Sequence, residues 1–367
     1  MSLGPLGVAI VGAGVISDQY LTNLSTFPDV KVLGIADIDV ERARAQAAAY
    51  DVPVAGDLDT VLALPEAEIV VNLTVPAAHY DVASAALKAG KHVYGEKPLA
   101  LDRDEGEKLL AQASDLGLRV GCAPDTFLGA GIQSAARALA AGAIGAPVSA
   151  MTAVMNRGPE LWHPNPEFFY QPGAGPLFDL GPYYLTTLVA LLGPATRVAA
   201  LSRTGRRERV IGSGPKAGTA FPVDVPTHVT ALIDFEDGPS ASSTFSFDSA
   251  LGRILFEITG TEGTLAVPDP NTFGGRLRVR APGETEWREL PVDGPQSGRG
   301  MGVLDMARAI RADGPHRASG ELAQHVLELM TAVTDSGERT AFTAVASRCA
   351  KPLPMPASWD PAAATLT

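Results

Sequence analysis

The chain has 367 residues, 46% of them hydrophobic and 19% charged, which is enough apolar material for two domains and leaves no disordered polar tract. Its formal charge of -12 repels phosphate backbones, and the short basic run of Arg203, Arg206, Arg207 and Arg209, broken by Glu208, reads as a solvated strand end, so no nucleic-acid partner is expected. No stretch of about 18 apolar residues offers a membrane span.

Met1 to Val15 lacks a basic start and is interrupted by glycines, unlike a signal peptide, and Met1, Ser2 and Leu3 are left out of the fold argument. Gly7–Val11 is a short apolar run, followed by a glycine turn and a helix from about Ile16 to Ser25. Lys31–Ala36 is the second strand, ending on Asp37, and Val40–Tyr50 is an alanine-rich helix. In Glu68–Val75 the apolar residues barely alternate, as expected of a strand covered on both faces. Ala78–Ala89 is a helix closed by Gly90, His92–Glu96 a strand, Arg103–Leu116 a helix and Arg119–Cys122 the last strand. This order predicts a doubly wound parallel sheet, a Rossmann domain over residues 1–124, with the boundary near Ala123 and Pro124.

Beyond it Gly131–Ala141 reads as helical, and the chain then turns strand-rich. Val148–Met155, Arg197–Ser202, Thr227–Phe235, Ala241–Phe247, Ile254–Thr259, Thr264–Val267 and Arg276–Val279 read as strands of a mainly antiparallel sheet. Helices return at Leu177–Leu192, Val303–Ala312 and Gly320–Ser336, so residues 125–367 are expected to form a second α/β domain. The tail, with Pro352, Pro354 and Pro356, is an extended strap or disordered. Cys122 and Cys349 form no CxxC or Cys/His cluster, so no metal site is expected, and two unpaired thiols suit the cytoplasm.

Gly12, Ala13, Gly14, Val15 and Ile16 stand between a strand and a helix, the context that makes a dinucleotide fingerprint credible. Gly12 permits the tight turn and Gly14 lets the backbone approach a pyrophosphate. The helix opening at Val15 and Ile16 offers free N–H groups and a partial positive charge. Ser17 takes the third glycine position. Asp37 supplies the carboxylate for the ribose hydroxyls and would repel a 2′-phosphate, with Ile38 and Asp39 following rather than an Arg. NAD is therefore expected over NADP.

Asn72, Thr74, Pro76 and His79 precede one helix, and after it come Gly90, His92, Glu96, Lys97 and Pro98. With the glycine turn, these ordered motifs resemble the glucose-fructose oxidoreductase / inositol dehydrogenase / rhizopine catabolism family over nearly the whole chain. The resemblance implies a C-terminal domain with a large open sheet that mediates homodimers or homotetramers. It also implies hydride transfer at a carbinol or carbonyl carbon of a sugar, polyol or related diol. Thr74 and Pro76 would lie along the nicotinamide half of the nucleotide with His79 close by. Glu96 and Lys97 would belong to the family's Glu-Lys-Pro motif, in which the lysine reaches substrate. Asp179, Gly181 and Tyr183 align with a motif of the form Asp-x-Gly-x-His, so tyrosine stands where most relatives have histidine. Two readings of the same fold compete: an NAD-dependent glycoside hydrolase with transient oxidation, and a nucleotide-sensing regulator.

Hydride transfer needs a positioned C–H bond, removal of the hydroxyl proton and stabilisation of charge at oxygen. Lys97 can supply the last from the C-terminal end of a parallel strand. Asp179 and Tyr183, four residues apart, share one helix face if the helix begins near Leu180, where Asp179 would cap it. A free phenol has a pKa of about 10, about 4 kcal/mol from ionising at neutral pH, so a tyrosine here leans towards proton donation in the reductive direction. His163, beside Trp162, is the alternative proton shuttle or a substrate contact, and Asp125, just past the last Rossmann strand, could reach the cleft. His228, His316 and His325 receive no role.

Overall fold

The computed structural model describes Gly4–Leu366, so Met1–Leu3, set aside above, and Thr367 lie outside the described residues. The chain begins β1 (Leu6–Val11), α1 (Val15–Leu24), β2 (Val30–Ala36), α2 (Val40–Ala49), β3 (Val54–Gly56), α3 (Leu58–Leu62) and β4 (Ala67–Asn72). It continues α4 (His79–Lys88), β5 (His92–Gly95), α5 (Arg103–Asp115), β6 (Val120–Cys122) and α6 (Ala130–Ala140). The six strands form one parallel sheet in the order β3-β2-β1-β4-β5-β6, the doubly wound arrangement. Every residue of β1 is buried, because helices cover both faces. Asp39, Asp57 and Asp102 cap α2, α3 and α5 by accepting backbone N–H bonds, whereas α1 starts on Gly14 without a side-chain cap.

Next come β7 (Pro147–Met155), α7 (Gly175–Leu192), β8 (Ala195–Arg203), β9 (Glu208–Val210), β10 (Ala220–Pro222), β11 (His228–Phe235) and β12 (Ser240–Ser246). Then follow β13 (Arg253–Gly260), β14 (Gly263–Ala266), β15 (Leu277–Arg280), β16 (Arg288–Leu290), α8 (Met301–Arg311), α9 (Gly320–Arg339) and β17 (Thr343–Ala344). Nine of these strands form a second sheet, ordered β16-β15-β14-β13-β7-β12-β11-β8-β17 and antiparallel except where β7 meets β12. Buried and less buried residues alternate along β11, with Val229, Ala231, Ile233 and Phe235 inward. On the other face Met151, Leu201 and Leu232 stand more than half exposed among serines and threonines.

The sequence predicts one boundary near Ala123 and Pro124, whereas the two compact units interleave along the chain. The first comprises the chain up to Gln133, Asp293–Leu327 and the segment from Pro352; the second comprises Ser134–Val292 and Glu328–Lys351. Packing explains the returns to the first unit. The Cys122 N–H donates to Ala318 O at 3.0 Å, drawing the segment before α9 onto β6. The proline tail is a strap without helix or strand, ending on Asp29, whose carboxylate accepts the Thr365 N–H and the Leu366 N–H at 2.8 and 2.9 Å. No helix among the described residues is long and apolar enough to cross a membrane.

Candidate active site

In the first unit the turn between β1 and α1 is fixed by crowding. Gly12 has φ +104°, and a Cβ there would lie 2.6 Å from Leu73 O, so only glycine fits. Gly14 faces open space, and Val15 is largely exposed at the uncapped helix start. Ile16 is half-buried behind it. Asp37, at the end of β2, accepts the Ala13 N–H at 2.8 Å with one carboxylate oxygen and the Asp39 N–H at 2.9 Å with the other. The acid that would receive ribose hydroxyls thus also braces the glycine turn. Arg42 reaches within 3.9 Å of Asp37 from α2, a cation that the residues directly following Asp37 do not reveal. Free N–H groups, open space at Gly14 and a fixed carboxylate together fit a dinucleotide.

The loops after β4 and β5 are built from backbone-directed side chains. Asn72 Oδ1 accepts the Thr74 hydroxyl at 2.6 Å and the Thr74 N–H at 3.2 Å, while its amide donates to His79 O at 3.0 Å. His79 is buried, with Nδ1 2.6 Å from Pro98 O and Nε2 3.1 Å from Thr74 O. Its ring therefore joins the two loops instead of presenting to solvent, while Thr74 is half-buried and Pro76 exposed. Glu96 accepts the Tyr20 hydroxyl at 2.8 Å and lies 3.5 Å from Arg299, and Lys97, half-buried, donates its N–H back to Glu96 at 3.1 Å. Tyr20 and Arg299 escaped the sequence reading because the latter lies 203 residues from Glu96.

Asp125 requires a correction: it is fully buried, and its Oδ2 accepts the N–H groups of Gly300 at 2.8 Å and Gly302 at 3.1 Å at the start of α8. Burial pushes its carboxyl up to about 6 despite those bonds. This gives it an architectural task within the first unit in place of substrate contact.

In the second unit α7 begins at Gly175, with Pro176 in its first turn, so Asp179 lies inside the helix and does not cap it. Pro182 sits in the helix interior and removes the N–H that Phe178 O would have accepted. Asp179 and Tyr183 stand one turn apart, Asp179 half-buried and Tyr183 buried. Tyr184 is more deeply buried, donates to Asp269 at 3.3 Å, and has its hydroxyl pKa pushed up by burial. Between β7 and α7, Trp162 is exposed and packs edge-on to His163, whose Nδ1 accepts the Asn165 N–H at 3.1 Å. This segment is stapled by the buried Arg209, whose guanidinium pairs with the buried Glu160 and with the more exposed Asp248, a cluster invisible in a sequence where the three are scattered.

Residues 6–123 match a family described as an oxidoreductase family with an NAD-binding Rossmann fold, and residues 132–266 match the GFO/IDH/MocA C-terminal domain. The chain is 26% identical over 311 residues to trans-1,2-dihydrobenzene-1,2-diol dehydrogenase of Bos taurus, covering 82% of this chain and 86% of the relative. It is 28% identical over 328 residues to dTDP-3,4-didehydro-2,6-dideoxy-alpha-D-glucose 3-reductase of Streptomyces antibioticus, covering 87% and 92%. Among solved structures, an NAD binding oxidoreductase from Klebsiella pneumoniae superposes with a TM-score of 0.81 at 25% identity, covering 94% of this chain and 100% of that one. Levoglucosan dehydrogenase in complex with NADH and L-sorbose shares the fold, with a TM-score of 0.79 at 22% identity and coverage of 94% and 100%. With both of its domains matched in order, the chain belongs to the GFO/IDH/MocA family of oxidoreductases with an NAD-binding Rossmann fold.

Proposed function

We propose that this oxidoreductase transfers a hydride between NAD and a carbinol or carbonyl carbon of a sugar, polyol or related diol. The observation that carries the reading is the brace between Asp37 and Ala13, which fixes a carboxylate beside an uncapped helix start as NAD requires. The relatives named for diol, deoxysugar and levoglucosan chemistry support the substrate class.

When bound, the nicotinamide supplies or accepts the hydride; the protein's share is binding, orientation and proton handling. Gly12, Gly14, Val15, Ile16 and Asp37 hold the adenosine and pyrophosphate half. Thr74, Pro76 and Glu96 shape the nicotinamide half, with His79 fixing their loops from behind. Lys97 places an ammonium at the reacting oxygen and stabilises its developing negative charge. Asp179 orients the substrate hydroxyls. Tyr183 gives its hydroxyl proton to the carbonyl oxygen in the reductive direction. Trp162 and His163 contact the sugar face.

The open face of the nine-stranded sheet, with Met151, Leu201 and Leu232 exposed, supports self-association into a homodimer or homotetramer. Light scattering at micromolar concentration reads it directly, and a monomer contradicts it. Cys122, buried and without a disulfide, supports a reducing, cytoplasmic setting. A nicotinamide-fluorescence screen of sugars, polyols and diols in both redox directions tests the function. Net turnover of the nucleotide supports it, and sugar cleavage without net redox change overturns it.

A further inference from the structure

In the second unit, the excursion between β8 and β11 and the segment after β7 enclose a cleft of about 490 Å³ walled by Arg157, Glu160, Arg206, Arg209, Phe247 and Asp248. At its back the Arg209 side chain is only 3% exposed, and its Nη1 donates to Glu160 Oε1 at 2.5 Å. Its Nη2 donates to Asp248 Oδ1. The other oxygen of Glu160 accepts the Tyr170 hydroxyl, and that of Asp248 accepts the Thr227 hydroxyl. All four carboxylate oxygens in the cleft wall therefore already have donors.

The donors are not all used. Arg209 Nε is buried with no hydrogen-bond partner, so its guanidinium charge is only partly compensated by the two acids. Arg157 and Arg206 are exposed on the same cleft, and neither guanidinium has a carboxylate in ion-pair range among the described residues. Three arginines face two acids already bonded to one of them, a local excess of positive charge in a chain whose formal charge is -12. What remains unsatisfied is cationic and donates hydrogen bonds, so the complementary ligand is an anion rich in acceptors. The site is built: Gly158 has φ +98°, and a Cβ there would lie 2.1 Å from Glu160 Oε2 and 2.7 Å from Arg209 Nη1.

We propose that this cleft binds an anionic group, a carboxylate or a phosphate ester, held by the exposed guanidiniums of Arg157 and Arg206, with the buried Arg209 guanidinium adding positive charge at its back. Resting on the oxidoreductase reading above, the same cleft selects substrates that carry such a group, a sugar acid or a sugar phosphate. The cleft adjoins the substrate-side elements of its own unit. Leu161 lines it, next in sequence to Trp162 and His163, and Phe247 of its wall belongs to the cluster on which Leu180 of α7 packs, beside Asp179.

The test is calorimetric titration of the full chain with inorganic phosphate and, separately, with D-gluconate, in the absence of any nicotinamide nucleotide. At least one should bind at millimolar concentration or below. The double variant Arg157→Gln with Arg206→Gln should weaken that binding by at least about tenfold, while Arg203→Gln, on β8 outside the cleft, leaves it unchanged. Binding of phosphate alone identifies a phosphate ester, and of gluconate alone a carboxylate. Binding of neither, or binding to which the double variant is indifferent, overturns the site. No turnover enters this measurement, so its failure leaves the hydride-transfer reading standing, and inactivity in the redox screen leaves the anion site standing.

Discussion

The imidazole of His79, at the start of α4, lies 2.6 Å from the carbonyl oxygen of Pro98, the residue that follows Lys97. Its other nitrogen faces Thr74 O at 3.1 Å, so one buried ring ties the loop after β4 to the loop after β5. His79→Phe keeps the volume and removes the polar contacts. A buried carbonyl left without a donor costs about 1–3 kcal/mol, so the variant should lose stability by that order in urea denaturation. NADH affinity should fall with it, because Thr74 loses its support. Unchanged stability would show that the ring is merely packed.

We propose that Asp37 sets the choice between NAD and NADP. Both of its oxygens are engaged by backbone N–H groups, and Arg42 stands 3.9 Å away. Asp37→Ser removes the carboxylate that would oppose a 2′-phosphate and frees Arg42 to meet one. Adding Ile38→Arg, at a fully exposed position, supplies a second guanidinium. The preference for NAD(H) over NADP(H) should shift by about ten- to a hundredfold, the value of one or two charge-assisted bonds. Titration with both nucleotides reads it.

The C-terminal strap depends on Asp29. Burial pushes that carboxyl up, but bonds from Thr365, Arg308 and Leu366 outweigh it and leave the pKa lowered. A lowered folded pKa stabilises above the unfolded value and is lost as pH falls through the folded one, so the strap should loosen only in acid. Asp29→Ala leaves Arg308 without the carboxylate that its Nε meets at 2.7 Å, at a cost of about 3 kcal/mol. Hydrogen exchange should then rise at Thr365 and Leu366 first. Uniform loss of protection across the first unit would contradict a local strap.

Legibility in the sequence followed periodicity and proximity. The buried apolar run of β4 and the glycine turn before α1 announced the Rossmann sheet because their physics is local. β3 and α3, of three and five residues, carry too little pattern to read. Asp179 was misplaced as a cap because Pro182 suggested a later helix start, whereas the helix begins at Gly175 and tolerates the proline inside. Asp125 looked available because its partners, Gly300 and Gly302, are 175 and 177 residues away. Likewise Arg209, read as part of a solvated strand end, is buried, because Glu160 and Asp248 come from other segments to meet it.

We propose that Lys97 and Tyr183 perform hydride-transfer chemistry on a CH–OH group. The most direct measurement is steady-state turnover of an identified substrate by Lys97→Ala and Tyr183→Phe, alongside NADH affinity for each. Both variants should lose at least about 100-fold in kcat, the lower end of what a positioned acid–base group contributes, with NADH affinity little changed. Near-normal turnover by Lys97→Ala would contradict the catalytic assignment of Lys97, and full activity in Tyr183→Phe with none in His163→Ala would move the proton path to His163.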